Sequence, residues 1–447
     1  MTDRIASIPS VTLKITPRRP ALLAGHDNTL EVLVQVQAPA EAPQGHQRSP
    51  LSLALVLDRS GSMDGPPLRE AVRCARAMIE LLRPEDRVAL VVYDNRVDTL
   101  VPAQTLHDRT PLYRALETVR AGGSTDLHGG WLRGAEELAA HTAPDTLSRV
   151  LLLSDGQANH GLVDLDEITS QCAQLAAAAV TTSTYGLGHG FNENLMEAMA
   201  RAGQGQAYYG ETADDLLEPF QREFDLLDAL CAKRLRLGLQ TSDGIEAKVL
   251  NLYVQDGDAT VLPDLAYGSE ALAVLRLKIP KAFTGQGQGE SHPLVRVSLT
   301  ALSLEGQDLA IAPVTLELPS LPVQAFHAVS EDELVARRVG EVEAAGLQEE
   351  AQSAARRGDW KQVKRLLQDA RGRAQDNPWV EAIVGNLETL AAQEDTERFS
   401  KEARYASRGM SSRIAALNES RDFAAGEPQP AMPSYLRRKK EQGKKES

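Results

Sequence analysis

The first half of the chain contains two different apolar patterns. Residues 11–15 and 30–36 form alternating or β-rich runs with Pro, Gly and Asn between them, which predicts a pair of strands. From residue 51, short apolar runs at 51–57, 88–93, 150–153 and 181–185 alternate with amphipathic helical segments. This order is typical of βα units on a parallel sheet that is buried on both faces. We predict a doubly wound, mostly parallel α/β domain over residues 49–228.

After this domain the pattern returns to alternation. Apolar residues occupy every second position in runs at 235–239, 271–277, 294–299 and 314–318, which predicts an antiparallel β-sandwich over residues 229–326. Two strands alone would be only marginally stable. We therefore expect residues 1–48 to join this sandwich, so that the α/β domain is inserted in it.

The last part of the chain has a helical composition. Residues 327–418 are rich in Ala, Glu, Arg, Gln and Leu, with breaks near Gly346, Gly358 and Pro378, which predicts several helices in a bundle or arm. The segment 358–390 resembles one tetratricopeptide-type hairpin, but no second good copy accompanies it. Residues 419–447 end with six basic and two acidic side chains. We expect a solvated, disordered basic tail, with docking of an acidic partner as the alternative.

Composition narrows the class of protein. The 447 residues are 42% apolar and 25% charged, which is typical of globular chains, and their length suits several domains. The formal charge of −14 and the 4% aromatic content argue against binding of nucleic acids. Cys74, Cys172 and Cys231 lie far apart with no CxxC pair, so the sequence supports neither a disulfide framework nor a zinc knuckle and fits a reducing compartment. We find no transmembrane or signal segment, and we expect a cytoplasmic protein.

Oxygen-bearing side chains follow two of the predicted strands. Asp58, Ser60 and Ser62 stand at alternate positions after the first apolar run, and Asp155 follows the run at 150–153. A third segment, Gly122-Gly123-Ser124-Thr125-Asp126, precedes a predicted helix. In open α/β sheets, ligands bind outside the carboxyl ends of the strands. Hard divalent cations take oxygen ligands of this kind.

The three segments in this order resemble a von Willebrand factor A (VWA) domain, over about residues 51–228, in proteins of a bacterial cytoplasmic type. More distantly, the arrangement is similar to inter-α-trypsin-inhibitor heavy chains. The resemblance implies a metal-ion-dependent adhesion site (MIDAS). Hydroxyl oxygens would come from Ser60, Ser62 and Thr125, whereas Asp58 and Asp155 would act directly or through water.

The implied cation is Mg²⁺, with Mn²⁺ or Ca²⁺ as alternatives, because oxygen ligands suit all three. An open coordination position would accept a Glu or Asp carboxylate from a partner protein. The residues that we expect on the surrounding rim are Met63, Asp64, Asn95, Arg96, Asp126, Gln157, Asn159 and His160.

Simpler interpretations exist for each segment. Asp58, Ser60 and Ser62 could cap the following helix, Thr125 could be a helix N-cap, and Asp155-Gly156 could form an ordinary turn. An EF-hand loop starting at Asp58 is excluded, because Met63 replaces the glycine at its sixth position.

Three functions are compatible with the sequence. The first is a non-enzymatic, metal-dependent protein-binding scaffold, which agrees with the lack of HExxH, GxSxG and P-loop motifs. The second, from the resemblance to chelatase-type proteins, is an adaptor for an AAA+ ATPase partner. The third is a metal-dependent hydrolase with Asp126 or His160 as acid or base. We favour the scaffold.

Overall fold

The computed structural model describes residues 11–43, 48–143, 146–187, 192–210, 213–284, 291–373, 377–411 and 414–416. The described chain forms two compact units. The first, which we call the α/β unit, comprises residues 47–230 with 304–306. The second, the sheet and helix unit, comprises residues up to 46, 231–303 and those from 307 onward.

The strands of the described chain are β1 (Thr12–Pro17), β2 (Leu22–Leu23), β3 (Asn28–Gln37), β4 (Leu51–Asp58), β5 (Arg87–Tyr93), β6 (Val97–Thr105), β7 (Leu147–Ser154), β8 (Val180–Leu187), β9 (Gln204–Gly210), β10 (Leu230–Thr241), β11 (Glu246–Val249), β12 (Gln255–Asp256), β13 (Ala259–Val261), β14 (Leu265–Ala266), β15 (Ser269–Ile279), β16 (Ser291–Leu302), β17 (Val314–Leu321) and β18 (Ile414–Ala416). The helices are α1 (Pro66–Leu81), α2 (Thr110–Thr118), α3 (Leu127–Ala139), α4 (Leu165–Ala177), α5 (Glu193–Ala202), α6 (Ala213–Asp228), α7 (Lys281–Thr284), α8 (Val323–Ala328), α9 (Glu333–Arg356), α10 (Trp360–Arg373), α11 (Pro378–Gln393) and α12 (Thr396–Ser411).

The α/β unit is built on a six-stranded sheet in the order β6-β5-β4-β7-β8-β9. All its strand pairs are parallel except β5 with the edge strand β6. Residues of α1, α2 and α6 pack with one face of the sheet, and residues of α3, α4 and α5 pack with the other. Every residue of β4 is buried, because this central strand is covered on both faces. The predicted doubly wound α/β fold is confirmed.

The sheet and helix unit contains two mainly antiparallel sheets. In one, β3 lies between β1 and β15, and it pairs with β15 from Asn28↔Ile279 to Gln37↔Glu270. The other has the order β12-β13-β10-β16-β17-β2. Side chains of both sheets, including Val34, Leu275, Leu237 and Val297, form one apolar core.

Helix α9 packs on the outer face of the first of these sheets. Val335, Val339 and Val342 of α9 pack with Leu33 of β3 and Val274 of β15. The helices α9 to α12 share a second apolar core, which confirms the helical C-terminal region. The repeat-like hairpin at 358–390 corresponds to α10 and most of α11. The predicted basic tail lies outside the described residues.

No helix in the described ranges has the length and apolar character needed to cross a bilayer.

Candidate metal centre

The strand register brings the side chains of Asp58, Tyr93 and Ser154 together at the carboxyl ends of the parallel strands. Asp58 is the last residue of β4, and its partner on β5 is Tyr93. On the other side, Leu57 pairs with Leu153 of β7, so Ser154 is the next residue along that strand. Asp155 follows immediately. The two acidic residues of the predicted site therefore lie at the carboxyl ends of neighbouring strands, Asp58 as the last residue of β4 and Asp155 directly after β7.

Backbone hydrogen bonds join the loop after β4 to the loop before α3. The N–H of Gly61 donates to the carbonyl of Gly123 at 3.0 Å, and the N–H of Gly122 donates to the carbonyl of Arg59 at 2.9 Å. Gly123 has a φ of +74°, and a Cβ there would lie 2.3 Å from Oδ1 of Asn95. The positive φ favours glycine at this position, because L side chains rarely adopt it.

Thr125 is buried and connects this loop to the loop after β7. Its N–H donates to Oδ1 of Asn159 at 2.8 Å. Its carbonyl oxygen accepts from the N–H groups of Asn159 and His160, both at 3.1 Å. The three sequence segments of the predicted site thus meet at one edge of the sheet.

Asp58 is fully buried, and its protein donors are uncharged. Oδ1 accepts from the N–H of Ser60 at 2.8 Å, and Oδ2 accepts from the hydroxyls of Ser154 at 2.6 Å and Tyr93 at 3.3 Å. Burial raises the pKa of this carboxyl to about 6, against the lowering effect of its hydrogen bonds, and the charge of Asp155 adds to the increase.

The donor set fits a hard divalent cation. The hydroxyl oxygens of Ser60 and Ser62 lie 3.1 Å apart, and Asp155 is buried with Oδ1 accepting from the N–H of Gln157. Hydroxyl and carboxylate oxygens are the ligands that Mg²⁺ prefers. A cation would also neutralise Asp58, which no described basic side chain pairs with. Across the described ranges, no group of three or more His, Cys, Asp and Glu side chains could hold a metal.

Six of the eight predicted rim residues have exposed side chains. These are Asp64, Asn95, Arg96, Gln157, Asn159 and His160. Placing Met63 on the rim was wrong: its side chain is fully buried in the core against α1, because the short 3-10 turn Gly61–Met63 directs it inward.

Asp126 is half-buried and has a structural contact. Its Oδ1 accepts from the N–H of Gly129 at 2.9 Å as the N-cap of α3. A Cβ on Gly161 would lie 2.4 Å from the same oxygen, so the loop after β7 closes over this carboxylate.

The sequence analysis missed four residues at this face. Tyr93 and Ser154 contact Asp58, and the signal for them was a polar group ending an otherwise apolar strand. Val163, in the loop after β7, and Leu165, the first residue of α4, are 53% and 40% exposed. Their signal was a group of large apolar residues, Leu162, Val163 and Leu165, beside acidic residues in a loop segment.

Comparisons with known proteins agree with this architecture. The von Willebrand factor type A domain family matches residues 52–222. The uncharacterized protein sll0103 of Synechocystis sp. is 28% identical over 271 residues, which are 57% of this chain and 63% of that protein. An inter-alpha-trypsin inhibitor heavy chain of Pongo abelii is 29% identical over 196 residues, 41% of this chain and 22% of that protein. The chain thus spans less than two thirds of the length of these curated relatives.

A solved structure extends the likeness beyond the α/β unit. The protein described as von Willebrand factor type A from Catenulispora acidiphila has a TM-score of 0.66 and 16% identity, covering 91% of this chain and 98% of its own. At that identity the likeness concerns the fold. The predicted resemblance is confirmed: this chain contains a von Willebrand factor type A domain, which belongs to a family of protein-interaction domains.

Proposed function

We propose that this protein is a non-enzymatic scaffold that binds a partner protein through a divalent cation. The ion that we expect is Mg²⁺. The ligands would be Asp58, Ser60, Ser62, Thr125 and Asp155. The observation that carries the proposal is the buried carboxylate of Asp58, whose hydrogen-bond donors are all uncharged. When bound, the cation supplies a coordination position that a Glu or Asp carboxylate of the partner can fill.

The chain's own residues suit this role. Asp58 and Asp155 contribute the negative charge, whereas the serine and threonine ligands are neutral and do not repel an approaching carboxylate. Ser62 is exposed although Ser60, two residues earlier, is buried, so the site opens to solvent on the side of Ser62.

The exposed rim supports binding of a protein surface. Asn95, Arg96 and Gln157 can offer hydrogen bonds, and Val163 and Leu165 offer apolar area. Exposed apolar groups within a polar rim are typical of interaction sites. We therefore expect the partner to present an acidic residue with apolar neighbours.

Two features favour binding over catalysis. Asp126, one candidate for general acid or base, is engaged as the N-cap of α3. His160, the other candidate, is exposed, and its backbone rather than its ring makes the contact with Thr125.

We also infer that the VWA domain interrupts a β-sandwich. The pairing of β3 with β15 and the apolar core shared by the two sheets support this arrangement. A cytoplasmic location is supported by the three cysteines, which are all free thiols.

The test is affinity capture from native lysate with three baits: wild type in Mg²⁺, wild type in EDTA, and Asp155→Ala in Mg²⁺. We expect one partner that only the first bait retains. Glu136→Ala, which removes an exposed carboxylate of α3 outside the rim, is the matched control and should retain the same partner. Identical partners on all baits would contradict metal-dependent binding.

A further inference from the structure

We infer that Ser154 and Tyr93 are positioning residues for the metal centre, because both hydroxyls hold the same oxygen of Asp58. This inference rests on the proposed function of the site. The two side chains come from the strands on either side of β4, one from β7 and one from β5. Neither is among the five expected ligands.

The direction of the Ser154 hydrogen bond follows from its surroundings. Its Oγ accepts from the N–H of Gly156 at 2.7 Å, and it lies 2.6 Å from Oδ2 of Asp58. Because a carboxylate can only accept, the hydroxyl proton of Ser154 points to Asp58. One oxygen atom therefore connects the turn that carries Asp155 to the carboxylate of Asp58.

Tyr93 acts on Asp58 from the opposite side. Its ring is fully buried and packs directly against Gly130 of α3, where a Cβ would lie 2.3 Å from the ring. Because a carboxylate can only accept, the hydroxyl of Tyr93 donates to Oδ2 of Asp58.

These contacts leave Asp58 little freedom. Oδ2 is held by two hydroxyls and Oδ1 by the N–H of Ser60, so the carboxylate plane is set before any ligand arrives. Outer partners of this kind typically change metal affinity 10- to 100-fold when removed. The Tyr93 contact is longer, at 3.3 Å, so its effect should be the smaller of the two.

The experiment is calorimetric titration of the full chain with MgCl₂ and with MnCl₂. We expect Ser154→Ala to weaken binding about 10- to 100-fold and Tyr93→Phe about three- to tenfold. Ser154→Thr, which keeps the hydroxyl, should restore affinity to within about threefold of wild type. If Ser154 acted only through packing, Ser154→Thr would not restore the affinity for the metal ion.

Two control variants remove similar groups elsewhere in the same sheet. Ser148→Ala deletes another buried hydroxyl of β7, and Tyr185→Phe alters another fully buried tyrosine. Both should bind metal like wild type. If Ser154→Ala does not fold, Tyr93→Phe still tests the inference, because it removes a single oxygen atom.

The outcomes separate the inference from the proposed function. Suppose that wild type binds the metal ion and that Ser154→Ala and Tyr93→Phe bind it with the same affinity. The positioning role is then wrong, whereas the metal site is retained. If wild type binds neither ion, both are overturned.

Discussion

Two buried carboxylates lie near opposite ends of the same parallel sheet, and they are neutralised differently. Asp86 precedes β5 and accepts hydrogen bonds from Arg48 at 2.6 and 2.5 Å and from the N–H of Leu51 at 2.9 Å. Asp58 ends β4 and accepts only from uncharged donors. Both side chains are fully buried. The comparison distinguishes a buried charge that a basic side chain compensates from one that meets only uncharged donors.

The largest effect should come from breaking the compensated pair. Arg48→Ala leaves Asp86 buried without its cation, which typically lowers the free energy of unfolding by about 3–5 kcal/mol. Denaturation in guanidinium can be followed by fluorescence of Trp131 in the α/β unit, with Trp360→Phe and Trp379→Phe as the background. The loss should be the same in Mg²⁺ and in EDTA.

Arg133→Ala is the control for this prediction. Its side chain is 46% exposed and pairs with the exposed Glu136. Its second partner, Glu137, is 11% exposed but keeps a hydrogen bond from the N–H of Ala103, so the change should cost about 1 kcal/mol or less. An equally small effect of Arg48→Ala would contradict the comparison.

The uncompensated carboxylate should make the metal-free protein sensitive to pH. Burial raises the pKa of Asp58 to about 6, so the folded state keeps a proton that the unfolded chain has already lost. The free energy of unfolding in EDTA should fall by up to about 3 kcal/mol as pH rises from about 4 to 7, and be level above that. Denaturation at pH 4 and pH 8 measures most of this difference.

Asp58→Asn should remove that pH dependence and leave the metal-free protein more stable at pH 8 than wild type. Asp64→Asn, which alters an exposed carboxylate, should retain it. A wild-type protein equally stable at both pH values would argue against the raised pKa.

Bound Mg²⁺ should restore the folding stability that is lost through the uncompensated charge of Asp58. At a concentration of one hundred times its dissociation constant, a ligand of the folded state stabilises by about 2.7 kcal/mol. The melting temperature of wild type should therefore rise with Mg²⁺ in a calorimetric scan. Thr125→Val and Asp155→Asn should abolish the rise, and Asp64→Asn should keep it. A rise in all variants would locate the bound ion elsewhere.

The smallest effect concerns the apolar part of the rim. Val163→Ser and Leu165→Ser should change stability by less than about 0.5 kcal/mol, because both side chains are already exposed. Each should weaken binding of the Mg²⁺-dependent partner several-fold, since apolar contact area is lost. Surface plasmon resonance with the captured partner measures this, and Val323→Ser, exposed in the sheet and helix unit, is the control.

Most of the fold could be predicted from local patterns. The α/β domain could be predicted because its signals lie within short stretches of sequence. These signals are the continuous apolar runs of β4, β5, β7 and β8 and the helical periodicity between them. The edge strands β6 and β9 were missed, because each is buried on fewer sides and its pattern is weaker. The rim was predicted by proximity in sequence, which failed for Met63, since a single 3-10 turn reverses the direction of a side chain.

The sequence by itself determined the chemistry of the candidate site: the oxygen side chains of Asp58, Thr125 and Asp155 and the strand ends that carry them. Only the tertiary structure decided which groups complete it. Tyr93 reaches Asp58 because β5 pairs with β4 in one register, and Ser154 reaches it because β7 lies on the other side. Strand order and register depend on packing between segments distant in sequence, so no local pattern contains them.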